Sequence, residues 1–152
     1  MYGQEQNSRE QLLEQYTGDV ERLVKFLPWL KKAGETDVET YYEGEEGQKE
    51  TLLKIPVFDS NLFSFIKEAE KTQFVTKNYP YVYSRYRIRD HADEKKLLKE
   101  AKIQDIDVFK AIISKYVLEG KHRPAAWRDG VSEGIFAAAL EALSELFFKY
   151  TA

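Results

Sequence analysis

The sequence predicts an all-α fold, about six helices packed around a C-terminal apolar helix, and three stretches carry that prediction. In the last third, Val131, Ile135, Ala138, Ala139, Ala142, Leu143, Leu146, Phe147 and Tyr150 recur at steps of three and four. That spacing puts side chains on one helical face. Ile106, Phe109, Ile112, Ile113, Tyr116 and Val117 form a second such stripe, and Val20, Leu23, Val24, Leu27 and Leu30 a third. Phe136, Ala137, Leu140 and Phe148 add apolar surface beside the first stripe, so residues 131–150 are expected to be a helix enclosed on more than one side.

The elements follow in order. Ser8 and Gln11 resemble a capping box opening a helix from Arg9 to about Tyr16, with residues 1–7 frayed before it. Thr17-Gly18-Asp19 offers a break and a new cap for a helix ending near Lys32. Pro28 lies within that pattern and predicts a kink there, or two short helices meeting. Val38–Tyr42 and Leu52–Val57 are rich in strand-formers and flank a Gly-containing acidic stretch, which leaves room for a small two-stranded β-hairpin near 38–57. Asp59 or Ser60 caps a helix with Leu62, Phe63, Phe65, Ile66 and Ala69 as its apolar positions.

In Asn78-Tyr79-Pro80-Tyr81-Val82-Tyr83-Ser84-Arg85-Tyr86 the tyrosines fit either period, and Asn78 as cap with Pro80 in the first turn decides for helix. Asp90 then caps a charged helix from His91 to about Lys102, with Ala92, Leu97, Leu98 and Ala101 facing inward. Asp105 starts the next, and Gly120 stands where a left-handed C-terminal cap belongs.

At 152 residues, 43% apolar and 14% aromatic, the chain has the size and composition of one domain with its own core, so 1–152 is read as a single helical domain. With 32% charged residues and no long uncharged apolar run, no membrane span is expected. Met1 to Gln6 shows no basic region followed by an apolar one, so no secretory signal is visible and a cytoplasmic home is the simplest inference. The absence of cysteine removes disulfides, thiolate metal sites and cysteine nucleophiles together. Two histidines are too few for most all-histidine metal sites, so neither metal nor cofactor is expected.

The net charge of −3 is unevenly spread: residues 1–76 carry 15 acids against 9 bases, residues 77–152 carry 11 acids against 14 bases. That balance does not support a general nucleic-acid binder. Gly-rich phosphate loops, His-Glu-x-x-His and Gly-x-Ser-x-Gly motifs are missing. The acidic run Glu43, Glu45, Glu46, Glu50 lacks the ligand order of a calcium loop and reads as a solvated surface.

The segment 121–129 is the first candidate site. It joins the end of one helix to the start of the next, and His122, Arg123, Trp127 and Arg128 are the ligand-binding candidates. Guanidinium forks beside a helix start suit a carboxylate or phosphate. Equally, Lys121 and His122 complement the helix end behind them, Arg123 pairs with a surface acid, Trp127 fills the core and Asp129 caps the last helix.

A second candidate is Arg85, Arg87, Arg89 and His91 beside four tyrosines, which as a single-stranded nucleic-acid groove would stack bases over segment 79–89. Half-buried tyrosines and ion pairs of Arg85 and Arg89 with Asp90, Asp93 or Glu94 explain the same pattern. An enzyme would have to use His122 or His91 as general base, since these are the chain's two imidazoles.

Leu23-Val24-Lys25-Phe26-Leu27-Pro28-Trp29-Leu30, Tyr116-Val117-Leu118-Glu119-Gly120 with Arg123 and Trp127, and Gly134-Ile135-Phe136 together resemble an uncharacterised bacterial domain family, a domain of unknown function. The likeness spans the chain from about residue 17 onward and implies a single domain, with no activity to carry over. The leading expectation is therefore a small binding or interaction module that takes an anionic small ligand or an acidic group of a protein partner; homodimerisation is compatible with it.

Overall fold

The computed structural model describes residues 2–33, 39–41, 56–58 and 60–149. The chain is all-α, as expected, with eight α-helices among the described residues.

The expected break at Thr17-Gly18-Asp19 does not occur. Helix α1 runs from Tyr2 to Val24 without interruption, so its start also lies ahead of the expected Ser8–Arg9 boundary. An internal glycine costs a helix about 1 kcal/mol against alanine. Tyr16, Val20 and Leu23 are buried on the same face, each worth roughly 1.5–3 kcal/mol, so packing outweighs the local break signal. Asp19 caps nothing; its carboxylate accepts the Gln73 N–H at 3.0 Å.

The turn comes at Lys25-Phe26. Helix α2, Leu27–Ala33, starts there with Pro28 as its second residue, where the missing N–H leaves no bond unmade. Two short strands, β1 (Glu39–Tyr41) and β2 (Pro56–Phe58), pair antiparallel with Thr40 opposite Val57. They realise the expected hairpin as a side feature; the acidic run Glu43, Glu45, Glu46, Glu50 between them lies outside the described residues.

Helix α3, Ser60–Glu70, buries Leu62, Phe65, Ile66 and Ala69 but leaves Phe63, expected inward, exposed. Helix α4, Tyr79–Tyr86, carries Pro80 in its first turn and ends through Arg87 at φ 56°. Asn78 does not cap it; its side chain accepts the Thr76 hydroxyl at 3.0 Å. Helix α5, His91–Glu100, is capped by Asp90, which accepts the Asp93 N–H at 2.9 Å. It buries Leu98 and Glu94, whereas Ala92, expected inward, faces out. A 3-10 turn, Ile103–Asp105, leads into α6, Ile106–Glu119.

The expected helix over 131–150 is not one piece, and it starts earlier than Val131. Helix α7 spans Ala125–Ser132 and α8 spans Ile135–Ser144, followed by a π turn at Glu145–Lys149. Between them Gly134 adopts φ 75°, the left-handed geometry that closes a helix, and its N–H bonds the Val131 carbonyl at 3.0 Å. Helix α8 is nevertheless central: Ile135, Phe136, Ala139, Leu140 and Leu143 are buried, and it packs against α1, α2, α5, α6 and α7. It shares that place with α6, which buries residues from Ile106 to Val117 and touches α3, α4, α5, α7 and α8. No helix among the described residues is long and apolar enough to cross a membrane.

Candidate functional site

The segment 121–129 divides in two. Lys121, His122, Arg123 and Pro124 form an exposed turn between α6 and α7, while Ala125 to Asp129 is helical. Lys121 Nζ makes an ion pair with Glu70 on α3, and Arg123 Nη2 lies 3.7 Å from Glu119 Oε1, one helical turn back. His122 is exposed.

Trp127 turns inward. Its indole lies over Gly120, where a Cβ would come within 2.0 Å of Trp127 Cδ1, and its Nε1–H donates to the Val117 carbonyl at 3.0 Å. This close approach explains the glycine, which has φ −64° and is not the left-handed cap expected of it. Arg128 Nη2 lies 3.2 Å from Asp129 Oδ1, so the expected fork is engaged within α7, and Asp129 does not cap the last helix.

Thus His122 and Arg123 stand at the surface and Trp127 and Arg128 serve the packing of α7. Trp127 also meets Phe63, 41% exposed, whose ring lies edge-on to the indole at 5.7 Å. Glu70 follows Phe63 two turns along α3 and holds Lys121. Helix α3 thus meets the 121–129 segment twice, through Phe63 at Trp127 and through Glu70 at Lys121.

A second cluster sits where α4, α5 and α6 meet, and sequence reasoning missed its centre. Glu94 is only 1% exposed. Its Oε2 accepts the Tyr83 hydroxyl at 2.5 Å, and its Oε1 accepts the Tyr116 hydroxyl at 2.6 Å. His91 Nδ1 lies 3.1 Å from Oε1 and 2.9 Å from the Tyr116 oxygen. Lys115 Nζ is 3.7 Å from Oε2 and rests over the rings of Tyr83 and Tyr116.

Burial, reinforced by the Glu94 charge and hydrogen bond, pushes both phenols far above their usual range. Tyr79 is raised too, by burial and by Glu119, whose carboxylate its hydroxyl approaches at 3.4 Å. One signal was available in the sequence: Glu94 shares a helical face with Leu98 and Ala101, a charge in an apolar stripe.

This cluster also bears on the tyrosine and arginine segment. Tyr79 and Tyr83 direct their hydroxyls to Glu119 and Glu94, while Tyr81 is 60% exposed. Arg85 lies over Tyr86 at 5.6 Å, and Arg89 gives its backbone N–H to Asp93.

Between α5 and α8 runs an open groove of about 440 Å³. Lys95 and Lys99 form one wall, Glu133 and Glu141 the other, and Leu98 and Ala138 the floor. Neither histidine lines it. Among the described residues no group of three or more metal-ligating side chains converges. No family model, curated protein or solved structure matches the chain, so the likeness to an uncharacterised bacterial family rests on its three stretches alone.

Proposed function

We propose that the protein is a small binding module that recognises an acidic segment of a protein partner through Phe63, Trp127, Lys121, His122 and Arg123. The observation that carries this reading is Phe63. It is exposed at 41%, whereas Phe26, Phe65, Phe74, Phe109, Phe136, Phe147 and Phe148 are buried fully or in part, and it lies edge-on against Trp127, on the helix that follows the basic turn. Aromatic and arginine side chains are the ones most often found to dominate binding at protein interfaces.

The ion pairs of the patch do not oppose this. Arg123 with Glu119 and Lys121 with Glu70 are surface pairs, worth at most about 1 kcal/mol each, so a partner's carboxylates can replace the internal ones at little cost. The partner's apolar side chain would cover Phe63 and the outer edge of Trp127, removing both from water. Arg128, already engaged with Asp129, is assigned no part in recognition.

The test is calorimetric titration of the parent, Phe63→Ala and Arg123→Ala with glutamate-rich peptides that carry one leucine or phenylalanine. Each substitution should weaken binding about tenfold, Arg123→Ala leaving the melting temperature near that of the parent and Phe63→Ala lowering it by a few degrees through the lost contact with Trp127. The Arg123 effect should shrink as salt is raised. Equal affinity in parent and variants would remove this patch from consideration.

A further inference from the structure

The geometry around Glu94 fixes the chemistry of His91. The Tyr116 hydroxyl gives its hydrogen to Glu94 Oε1, so both atoms facing His91 Nδ1, that carboxylate oxygen and the Tyr116 oxygen, present lone pairs. Nδ1 must therefore carry the proton, and in the neutral ring the lone pair is on Nε2. The His91 side chain is 42% exposed, at the first turn of α5, while the carboxylate that orients it is buried behind it. An imidazole held by a buried carboxylate with its second nitrogen unprotonated is arranged as a nucleophile or base.

Lys115 selects between electrophiles. Its ammonium flanks the same carboxylate from the other oxygen and is about two-thirds covered, resting over two aromatic rings. A cation on the carboxylate that orients His91 suits an electrophile that arrives with negative charge, and a phosphoryl group is the common one. Several other charges at the corner have partners, among them Asp129, whose charge reaches Tyr116 and which pairs with Arg128. Asp90 caps α5 through the Asp93 N–H, Asp93 takes the Arg89 N–H, and Glu119 faces Tyr79 and Arg123.

We propose that His91 is a phosphoryl-accepting histidine, with Glu94 holding its Nδ1–H and Lys115 offsetting the charge of the incoming oxygens. The donor is an acyl phosphate or a phosphoramidate. The Nε2 lone pair attacks phosphorus, and the bond from phosphorus to the donor's oxygen or nitrogen breaks. The leaving group departs with that electron pair, and the ring, retaining its Nδ1–H, becomes cationic against Glu94. This site is separate from the patch on α3 and α7, and either reading can fail without the other.

Phosphoramidate alone is the probe, and His122 is the internal control, being exposed with no carboxylate hydrogen-bonded to its ring among the described residues. The native protein is incubated with it, and peptide mass mapping and phosphorus NMR follow the sites over time. His91 should be modified at least about tenfold faster than His122, at Nε2, and Lys115→Met should slow it by a similar factor. Glu94→Gln should remove the advantage of His91 in protein shown to be folded by circular dichroism. Equal rates at the two histidines, phosphorylation at Nδ1, or a Lys115→Met rate equal to the parent would each overturn the proposal.

Discussion

A buried carboxylate is stable only when its oxygens are fully engaged. Glu94, the one charged side chain buried among the described residues, has two phenolic hydroxyls, an imidazole and an ammonium around it. Hydrogen bonds to a charged group contribute about 1.5–3 kcal/mol, and Tyr83→Phe and Tyr116→Phe should each lower stability by that amount in urea denaturation. The tyrosines also set a pH limit. Their folded-state phenols are raised above the unfolded value, so the stability they contribute is intact below about pH 10 and is lost as the pH rises beyond it. Denaturation at about pH 8 and about pH 11 should show that decline in the parent and a smaller one in the double Tyr→Phe variant. A decline of equal size in both would place the alkaline loss elsewhere. The sequence of α5 signals only that Glu94 lies in an apolar stripe; its phenolic partners come from other helices and lie 11 and 22 residues away.

At the scale of elements, the periodic stripes were legible and the joints between helices were not. The stripes of α3, α6 and α8 report burial directly, so their existence follows from spacing. Gly18 looked like a break, yet it is helical, as is Gly130, where the Phe136 ring packs 2.5 Å from the place of a Cβ and excludes any larger residue. Charge made 121–129 read as a connection between helices, whereas Trp127 draws Ala125 onward into a helix by anchoring to Val117 and Gly120. Gly120→Ala tests that anchor. The methyl would displace the indole and lose its hydrogen bond, lowering stability by roughly 1–3 kcal/mol and shifting Trp127 emission to the red. An unchanged emission maximum would mean that the indole is not seated on Gly120.

Over the whole molecule, α6 and α8 form a shared core that the remaining helices enclose, and this divides the chain's outward chemistry between separate corners. One is the aromatic and basic patch of α3 and the α6–α7 turn, another the Glu94 corner of α4, α5 and α6, and a third the open groove between α5 and α8. The all-α class and the surface position of His122 and Arg123 were legible in the sequence, because composition and periodicity act locally. The inward turn of Trp127 was one of two readings the sequence left open, and its contacts with Val117 and Gly120 decide it; the exposure of Phe63 was not legible, since it depends on how α3 meets α7. The most direct measurement is amide NMR of the labelled protein as a glutamate-rich peptide carrying one apolar residue is added. Shifts confined to α3 and residues 119–128 are the predicted result; shifts centred on the α5–α8 groove or the Glu94 corner, or none at saturating peptide, would contradict the account.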